Sequence, residues 1–408
     1  MKIVILGGGI SGISAAWYAR KKYPNAQIAL FEKTDRLGGW MQTSREGGYL
    51  FEKGPRTFSA SRCPHLLELI EATGLQDQII FSDKSASRRF LWSGGRLRTP
   101  GSFLPMMIWP LIREPFITKG SGEDESIYDF SCRRLGPRVT NTLIDALAMG
   151  IFSGDIHKLS IRSCFPFLYN WEQKYGSLVL GALSSMLPKK KKGETGLFTL
   201  QNGMETLIEE LANQSGADFH FGTTVEEIRT DGVLANGMVH SADLIVSGLS
   251  GKEIGKLTGL WRDFEEADLW LVHLAYKGGI LPQKGFGYLV PTEEGENLLG
   301  MVWDSAVFPQ QSVSGETRVT AMMRQGSLEA ALDAMKRHLG VSTLPTFSAV
   351  HFAKGALPQF HVGYGKKLAC FEQEAKEKFP SLALLGNYLK GASVDACVAI
   401  AKSYFTNR

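Results

Sequence analysis

KIVILGGGISGISAAWYARKKYPNAQIALFEK, residues 2–33, decides the fold. Lys2 to Leu6 is a short apolar run ending in glycines, the signature of a buried parallel strand. Ile13 to Lys22 is rich in Ala and Ser and reads as a close-packed helix. Pro24 and Asn25 break it, and Gln27 to Phe31 forms a second strand that ends at Glu32. The glycines fall at Gly7-x-Gly9-x-x-Gly12, between strand and helix, with Ile10 and Ser11 in the same turn. Lacking a Cβ, they let the backbone turn tightly and approach a pyrophosphate, whose charge the helix N-terminus stabilises. Glu32 is placed to accept hydrogen bonds from ribose hydroxyls. A glycine pattern alone is weak; with strand, helix, second strand and acid all in place it reads as a dinucleotide site.

FAD rather than NAD follows from the next residues. After Glu32 and Lys33 comes Arg36-Leu37-Gly38-Gly39, a second set of bare backbone N–H groups able to meet the pyrophosphate. This arrangement resembles the FAD-binding pattern of the amine oxidase and phytoene desaturase superfamily. Mid-chain, Gly248-x-x-Gly251 lacks the spacing of a second dinucleotide motif. With no nicotinamide site visible, reduced flavin passes its electrons to oxygen or another acceptor.

Outward from the fingerprint, 408 residues are too many for one small core, and two or three regions are expected. Hydrophobic residues at 44% and charged residues at 21% describe an ordinary globular chain. A net charge of +4 is far from the dense basic stripe of a nucleic-acid binder; it suits a carboxylate-bearing substrate or an anionic membrane surface equally. Cys63, Cys132, Cys164, Cys370 and Cys397 are odd in number and widely spaced, so neither disulfides nor a metal is expected. A cleavable leader is not expected, because the first glycine of the fingerprint is already residue 7. No run reaches the roughly 20 apolar residues of a membrane span. The expected location is the cytoplasm, with the membrane face as the alternative if a surface helix attaches there.

Further strands are expected at Leu197–Leu200, Asp243–Ser247, Trp270–Tyr276, Gly287–Val290, Leu298–Trp303, Arg318–Met323 and Leu382–Leu385. Helices are expected from Pro64 to Gly74, from Gly203 to Asn213 and from Ser393 to Tyr404. Arg89–Trp92 and Arg96–Arg98 make a hairpin, and the pairs Asp231-Gly232 and Asn236-Gly237 mark turns of a small meander. From Pro100 to about Lys192 helical periodicity dominates. The fold class is therefore α/β, with a discontinuous Rossmann-type FAD domain (1–85, 196–262 and 379–408). A mixed-sheet substrate domain (86–98 and 263–378) and a helical insertion (99–195) complete it.

Beyond the flavin motifs the chain resembles the protoporphyrinogen oxidase family over almost its whole length. The match runs through Gly38-Gly-Trp40, Phe51-Glu-x-Gly54-Pro55-Arg56, Arg89-Phe-Leu, the block Leu159 to Pro166, the block Gly285 to Pro291, Asp304-Ser305 with Phe308-Pro309, and Gly391 to Cys397. The two blocks are the specific part. The resemblance implies oxidation of a porphyrinogen to a porphyrin in haem biosynthesis, in three two-electron steps, with oxygen reoxidising the flavin and hydrogen peroxide as product. It adds Trp40, Gly54, Pro55, Arg56, Val225, Ala392, Ser393 and Val394 to the FAD set. It places Phe286, Gly287, Leu289 and Met322 along the substrate, and handover to a downstream haem-pathway enzyme belongs with it. Arg89 is the choice for a propionate partner, since a guanidinium takes a carboxylate in bidentate fashion; a structural ion pair is the alternative, with Arg88 and Arg96 nearby. Each apolar residue is equally readable as core packing. Arg56 is read as structural, in a turn near the flavin.

No acid or base stands out, and the histidines read as satisfied polar residues; hydride loss from a meso carbon needs chiefly orientation. Phe103 to Ile112 is either a lip that dips into a bilayer, with Lys189 to Lys192 meeting anionic headgroups, or a lid over the substrate. Coproporphyrinogen is the close rival substrate. An amine or polyene oxidase on the same scaffold and a catalytically silent flavin-dependent tetrapyrrole carrier are the more distant ones.

Overall fold

The computed structural model describes residues 1–186, 196–261, 263–312 and 315–406. Lys189 to Lys192 lie outside the described residues. The chain packs as two units: residues 1–81, 194–266 and 366–408 form one, and residues 82–193 and 267–365 the other.

In the first unit, strand β1 (Lys2–Leu6) leads through helix α1 (Ile10–Lys22) to strand β2 (Gln27–Phe31). A parallel sheet runs in the order Asp218–His220, β2, β1, Leu244–Ser247, Leu382–Leu384. Its central strand, β1, is covered on both faces and so carries apolar residues without alternation. Helix α1 begins one turn earlier than its Ala-rich part suggests, because Gly9 serves as its N-cap. It is buried from Ser11 to Ala19 and packs against the helices Glu205–Ser215 and Val394–Thr406. Ala15, Ala16 and Ala19 are fully buried, and their small size sets this close approach. A larger residue there would cost about 1–3 kcal/mol of overpacking. The meander Val225–Arg229, Gly232–Ala235, Met238–Ser241 turns on Asn236 and Gly237, both with positive φ, as a two-residue hairpin loop requires. Phe371, in helix Tyr364–Lys378, packs on Trp261 and Phe264 and so ties that helix to this unit.

The second unit is built on seven strands: β3 (Arg89–Trp92), β4 (Leu97–Arg98), β5 (Glu266–Lys277), β6 (Gly287–Leu289), β7 (Leu298–Val302), β8 (Glu316–Met323) and β9 (Phe347–Pro358). Their order is β9-β5-β8-β7-β6-β3-β4. Only β6 and β3 pair in parallel among the registers described. Helix α2 (Leu328–Leu339) covers one face, burying Ala331, Ala334, Met335 and Leu339 against Phe90, Trp92, Val272, Leu274, Tyr288, Met301, Ala321 and Met323. Strand β9 and helix α2 lie where the sequence reading had placed no element. β9 alternates but carries Lys354 and Gly355 at an edge, where one side meets solvent.

Residues 104–186 of this unit are mostly helical. Their polar centre is buried: Arg134 and Glu114 are fully inaccessible and their charged atoms lie 3.1 Å apart, while Arg134 Nε donates to Glu172 at 2.7 Å. Glu114 also accepts from the Leu178 and Val179 N–H groups and the Ser177 hydroxyl, capping helix Leu178–Met186. That carboxylate directly follows the apolar helix Leu104–Arg113 and anchors it.

Candidate active site

In the first unit the glycine spacing becomes contact. A Cβ on Gly12 would lie 1.9 Å from the Gly7 carbonyl oxygen, and Gly7 itself has φ +87°. The Gly38 N–H donates to the Gly8 carbonyl at 2.8 Å, and a Cβ on Gly39 would come within 3.1 Å of Gly9 Cα. The two loops therefore join as one bare backbone surface. Gly9 offers no side-chain bond to the first turn of α1, which leaves its N–H groups, Ile10 and Ser11 among them, and the helix dipole for an anion.

Glu32 stands beside this surface. It accepts from the Gly8 N–H at 2.8 Å and from the Thr34 N–H and hydroxyl at 2.9 and 2.8 Å. With about four lone-pair positions, a carboxylate so held keeps one for a ribose hydroxyl. Lys33 is exposed next to it. Arg36 donates to the Leu37 and Gly39 carbonyls at 2.8 and 2.6 Å, so its guanidinium shapes the second glycine loop. A Cβ on Gly54 would fall 1.9 Å from the Trp40 carbonyl, which seats Gly54-Pro55-Arg56 against Trp40. Val225 is half-buried at the start of the meander. Ser393 caps the last helix by accepting from Ala396 N–H at 3.1 Å, Ala392 is half-buried beside it, and Val394 belongs to the core. Glycine loops, a helix start and an acid at the strand end fit the ADP half of FAD.

Sequence reasoning passed over Glu52, inside the Phe51 to Arg56 match. It accepts from the Met204 N–H at 2.8 Å and the Thr43 hydroxyl at 3.0 Å. Burial pushes its carboxyl up to about 7, against those two bonds and the Arg56 charge, which pull it down. Arg56 thus neighbours a buried acid of its own unit. The clue in the sequence was a lone Glu between Phe51 and Gly54.

In the second unit the side-chain alternation of strands sorts the candidates. Phe90, Tyr288, Met301, Ala321 and Met323 face α2. Arg89, Gly287, Leu289 and Met322 therefore share the opposite face. Arg89 is in register with Gly287, and Leu289, Gly300 and Met322 form one row across three strands. Leu289 and Met322 are half-buried. Leu289 packs on Gly150, where an added Cβ would meet its Cδ2 at 2.6 Å. Arg89 is exposed, and its guanidinium lies 5.1 Å from the Phe286 ring centre. Among the described residues it makes no ion pair. On this same face His273 Nδ1 is 3.0 Å from the Thr320 hydroxyl, which donates to Asp304 at 2.7 Å. Thr320, Gly300 and Gly150 were not read from the sequence; counting two residues back from Met322 along β8 finds the first.

The helix Leu104–Arg113 turns large apolar side chains outward: Trp109 is 69% exposed and Phe116, just beyond it, 86%. Among the described residues no helix is long and apolar enough to cross a membrane.

Comparison with known proteins adds a family, two relatives and one solved structure of the same fold. Residues 10–402 match the family model described as flavin containing amine oxidoreductase. A bovine protein named protoporphyrinogen oxidase is 31% identical, covering 97% of this chain and 96% of its own. A Bacillus subtilis protein named coproporphyrinogen III oxidase is 26% identical, covering 98% and 96%. The crystal structure of a candidate protoporphyrinogen oxidase from Exiguobacterium sp. 255-15 superposes with a TM-score of 0.86 at 23% identity, over 100% of this chain and 98% of that one.

Proposed function

The chain belongs to the flavin containing amine oxidoreductase family, with FAD as its cofactor, and we propose that it oxidises protoporphyrinogen IX to protoporphyrin IX in haem biosynthesis. The observation that carries this reading is Arg89: an exposed guanidinium with no ion pair among the described residues, laid over Phe286. It stands on the sheet face of Gly287, Leu289 and Met322. A propionate is the anion that such a planar fork grips bidentately, and flat apolar residues beside it suit a macrocycle. The name of the bovine relative supports the same substrate class.

Over the three two-electron steps three meso carbons each lose a hydride, two pyrrole nitrogens each lose a proton, and the fourth meso carbon loses the third proton. Bound FAD supplies the hydride acceptor. The chain's own part is orientation. Arg89 fixes the propionate edge, Phe286 shields the guanidinium from water, and Leu289 and Met322 support the ring so that one meso carbon is presented. The pyrrole nitrogen releases its proton to water. Oxygen is the proposed terminal acceptor, and hydrogen peroxide the product.

Coproporphyrinogen III is the second reading, favoured by the Bacillus subtilis relative's name. Against it, Gly287, Leu289, Gly300 and Met322, which share the face with Arg89, offer no cation for further carboxylates, and the polar end of the Arg89 row is Thr320 and His273. Turnover of both porphyrinogens by the purified flavoprotein, followed by porphyrin fluorescence, decides. The proposal expects a preference for protoporphyrinogen, and a clear preference for the four-propionate substrate replaces it. Peripheral membrane contact through Ile108, Trp109, Ile112 and Phe116 also belongs to the proposal, as does handover of the product to the next haem-pathway enzyme.

A further inference from the structure

Tyr288 sits between Gly287 and Leu289 on β6 and turns the other way, into the packing against α2, where it is 2% exposed. Its hydroxyl lies 2.9 Å from His338 Nδ1. His338, near the end of α2, has its Nε2 3.5 Å from Glu296 and its ring stacked on Trp92 at 3.8 Å between centres. Glu296 is gripped by Arg337 through two bonds of 2.6 and 2.9 Å, and Arg337 Nε donates to Asp333 at 2.6 Å. One polar chain therefore joins α2 to β6 through Tyr288 and to β3 through Trp92. Those are the two strands that carry Leu289 and Arg89 on their other face.

Neutral His338 has two arrangements. With the Tyr288 hydroxyl donating, Nδ1 accepts and Nε2–H faces the Glu296 carboxylate 3.5 Å away; with Nδ1–H donating to Tyr288, Nε2 accepts from Arg337 at 3.4 Å. A doubly protonated ring has no acceptor left for either donor, and sets a second cation beside Arg337.

We propose that Tyr288, His338 and Glu296 are positioning residues, a rack that holds β6 and β3 in the register presenting Arg89 and Leu289 to the tetrapyrrole, and that protonation of His338 releases it. The groups facing His338 are Tyr288 on β6, Glu296 before β7, and Arg337 and Asp333 on α2; Trp92 covers its ring. Burial first, and then the Arg337 charge, hold the imidazole below its ordinary range, against the pull of Glu296. The ring is thus neutral at neutral pH, and the rack gives way only as the solution becomes acid. The inference rests on the proposed substrate, since it is tetrapyrrole affinity that the rack controls.

The experiment titrates the holoenzyme with protoporphyrin between pH 8 and pH 5, in the wild type and in Tyr288→Phe, with steady-state kinetics on protoporphyrinogen alongside. The wild type is expected to weaken about tenfold as pH falls below the ordinary histidine value of about 6.5. Tyr288→Phe is expected to be weaker by about tenfold already at pH 8, raising KM with kcat within about twofold, and to lose most of the acid-side change. Flavin content should be unchanged. A pH-independent wild-type affinity, or a Tyr288→Phe enzyme with wild-type KM, overturns the rack while leaving the substrate reading intact. A wild type that binds no porphyrin overturns the substrate reading, and the rack with it.

Discussion

The glycine loops of the first unit and the sheet face of the second are the two proposed ligand surfaces, and they are encoded differently. In the loops, recognition is by backbone. Gly7, Gly12, Gly38 and Gly39 stand where a Cβ would strike a neighbouring backbone or side chain, and the spacing of the glycines in sequence is the geometry itself. On the sheet, the proposed recognition is by side chains drawn from β3, β6 and β8, far apart in the chain and brought together only by strand register. A backbone site tolerates almost no substitution, whereas a side-chain site divides its energy among residues that can be changed one at a time.

The sharpest way to break that contrast is Gly12→Val. Its Cβ cannot share space with the Gly7 carbonyl 1.9 Å away, so the loop must move. The variant should purify without flavin absorbance; a fully yellow protein would remove the backbone argument.

Next in size is Arg89→Leu, which should raise KM for protoporphyrinogen about 100-fold with flavin content intact, since a charge-assisted bidentate pair is lost. Arg89→Lys should recover only part of this. A KM within about threefold of wild type would assign Arg89 no part in binding.

Glu52 tests the first unit through pH. Its carboxyl is raised by burial from 4.5 to about 7, so folding favours the protonated form. That contribution is fully present below about 4.5 and is lost as pH rises through about 7. Glu52→Gln removes the titration. Denaturant midpoints should therefore show the variant level with wild type at pH 4 and more stable by ~3 kcal/mol at pH 8. An equal offset at both pH values would contradict the burial argument.

The smallest effect is expected for Met322→Leu, a volume-conserving change that should cost under about 1.5 kcal/mol of stability. If Met322 touches substrate, KM shifts by about two- to threefold at unchanged melting temperature. If it is only core, stability moves and KM does not.

The same contrast explains what the sequence revealed. The β1-α1-β2 unit was legible because Gly7, Gly9, Gly12 and Glu32 lie close together and each has one physical use. Arg89 could be named from the family resemblance, but that it shares a face with Leu289 and Met322 needed the registers of four strands. Helix α2 did carry its signals: Ser327 accepts from the Ala330 N–H, and Gly340 closes the helix with φ +70°. Tyr288 and His338 were invisible as a pair, being 50 residues apart and joined by one buried bond. Glu52 went unread because nothing in Phe51-Glu52-Lys53 distinguishes a buried acid from an exposed one.

The most direct test of the whole account is anaerobic mixing of the purified flavoprotein with protoporphyrinogen, followed by admission of air. Bleaching of the flavin before air is admitted, and return of the yellow colour with porphyrin and hydrogen peroxide appearing once oxygen enters, is the predicted course. A flavin that stays oxidised beside excess porphyrinogen, yet bleaches on adding an amine, would contradict it.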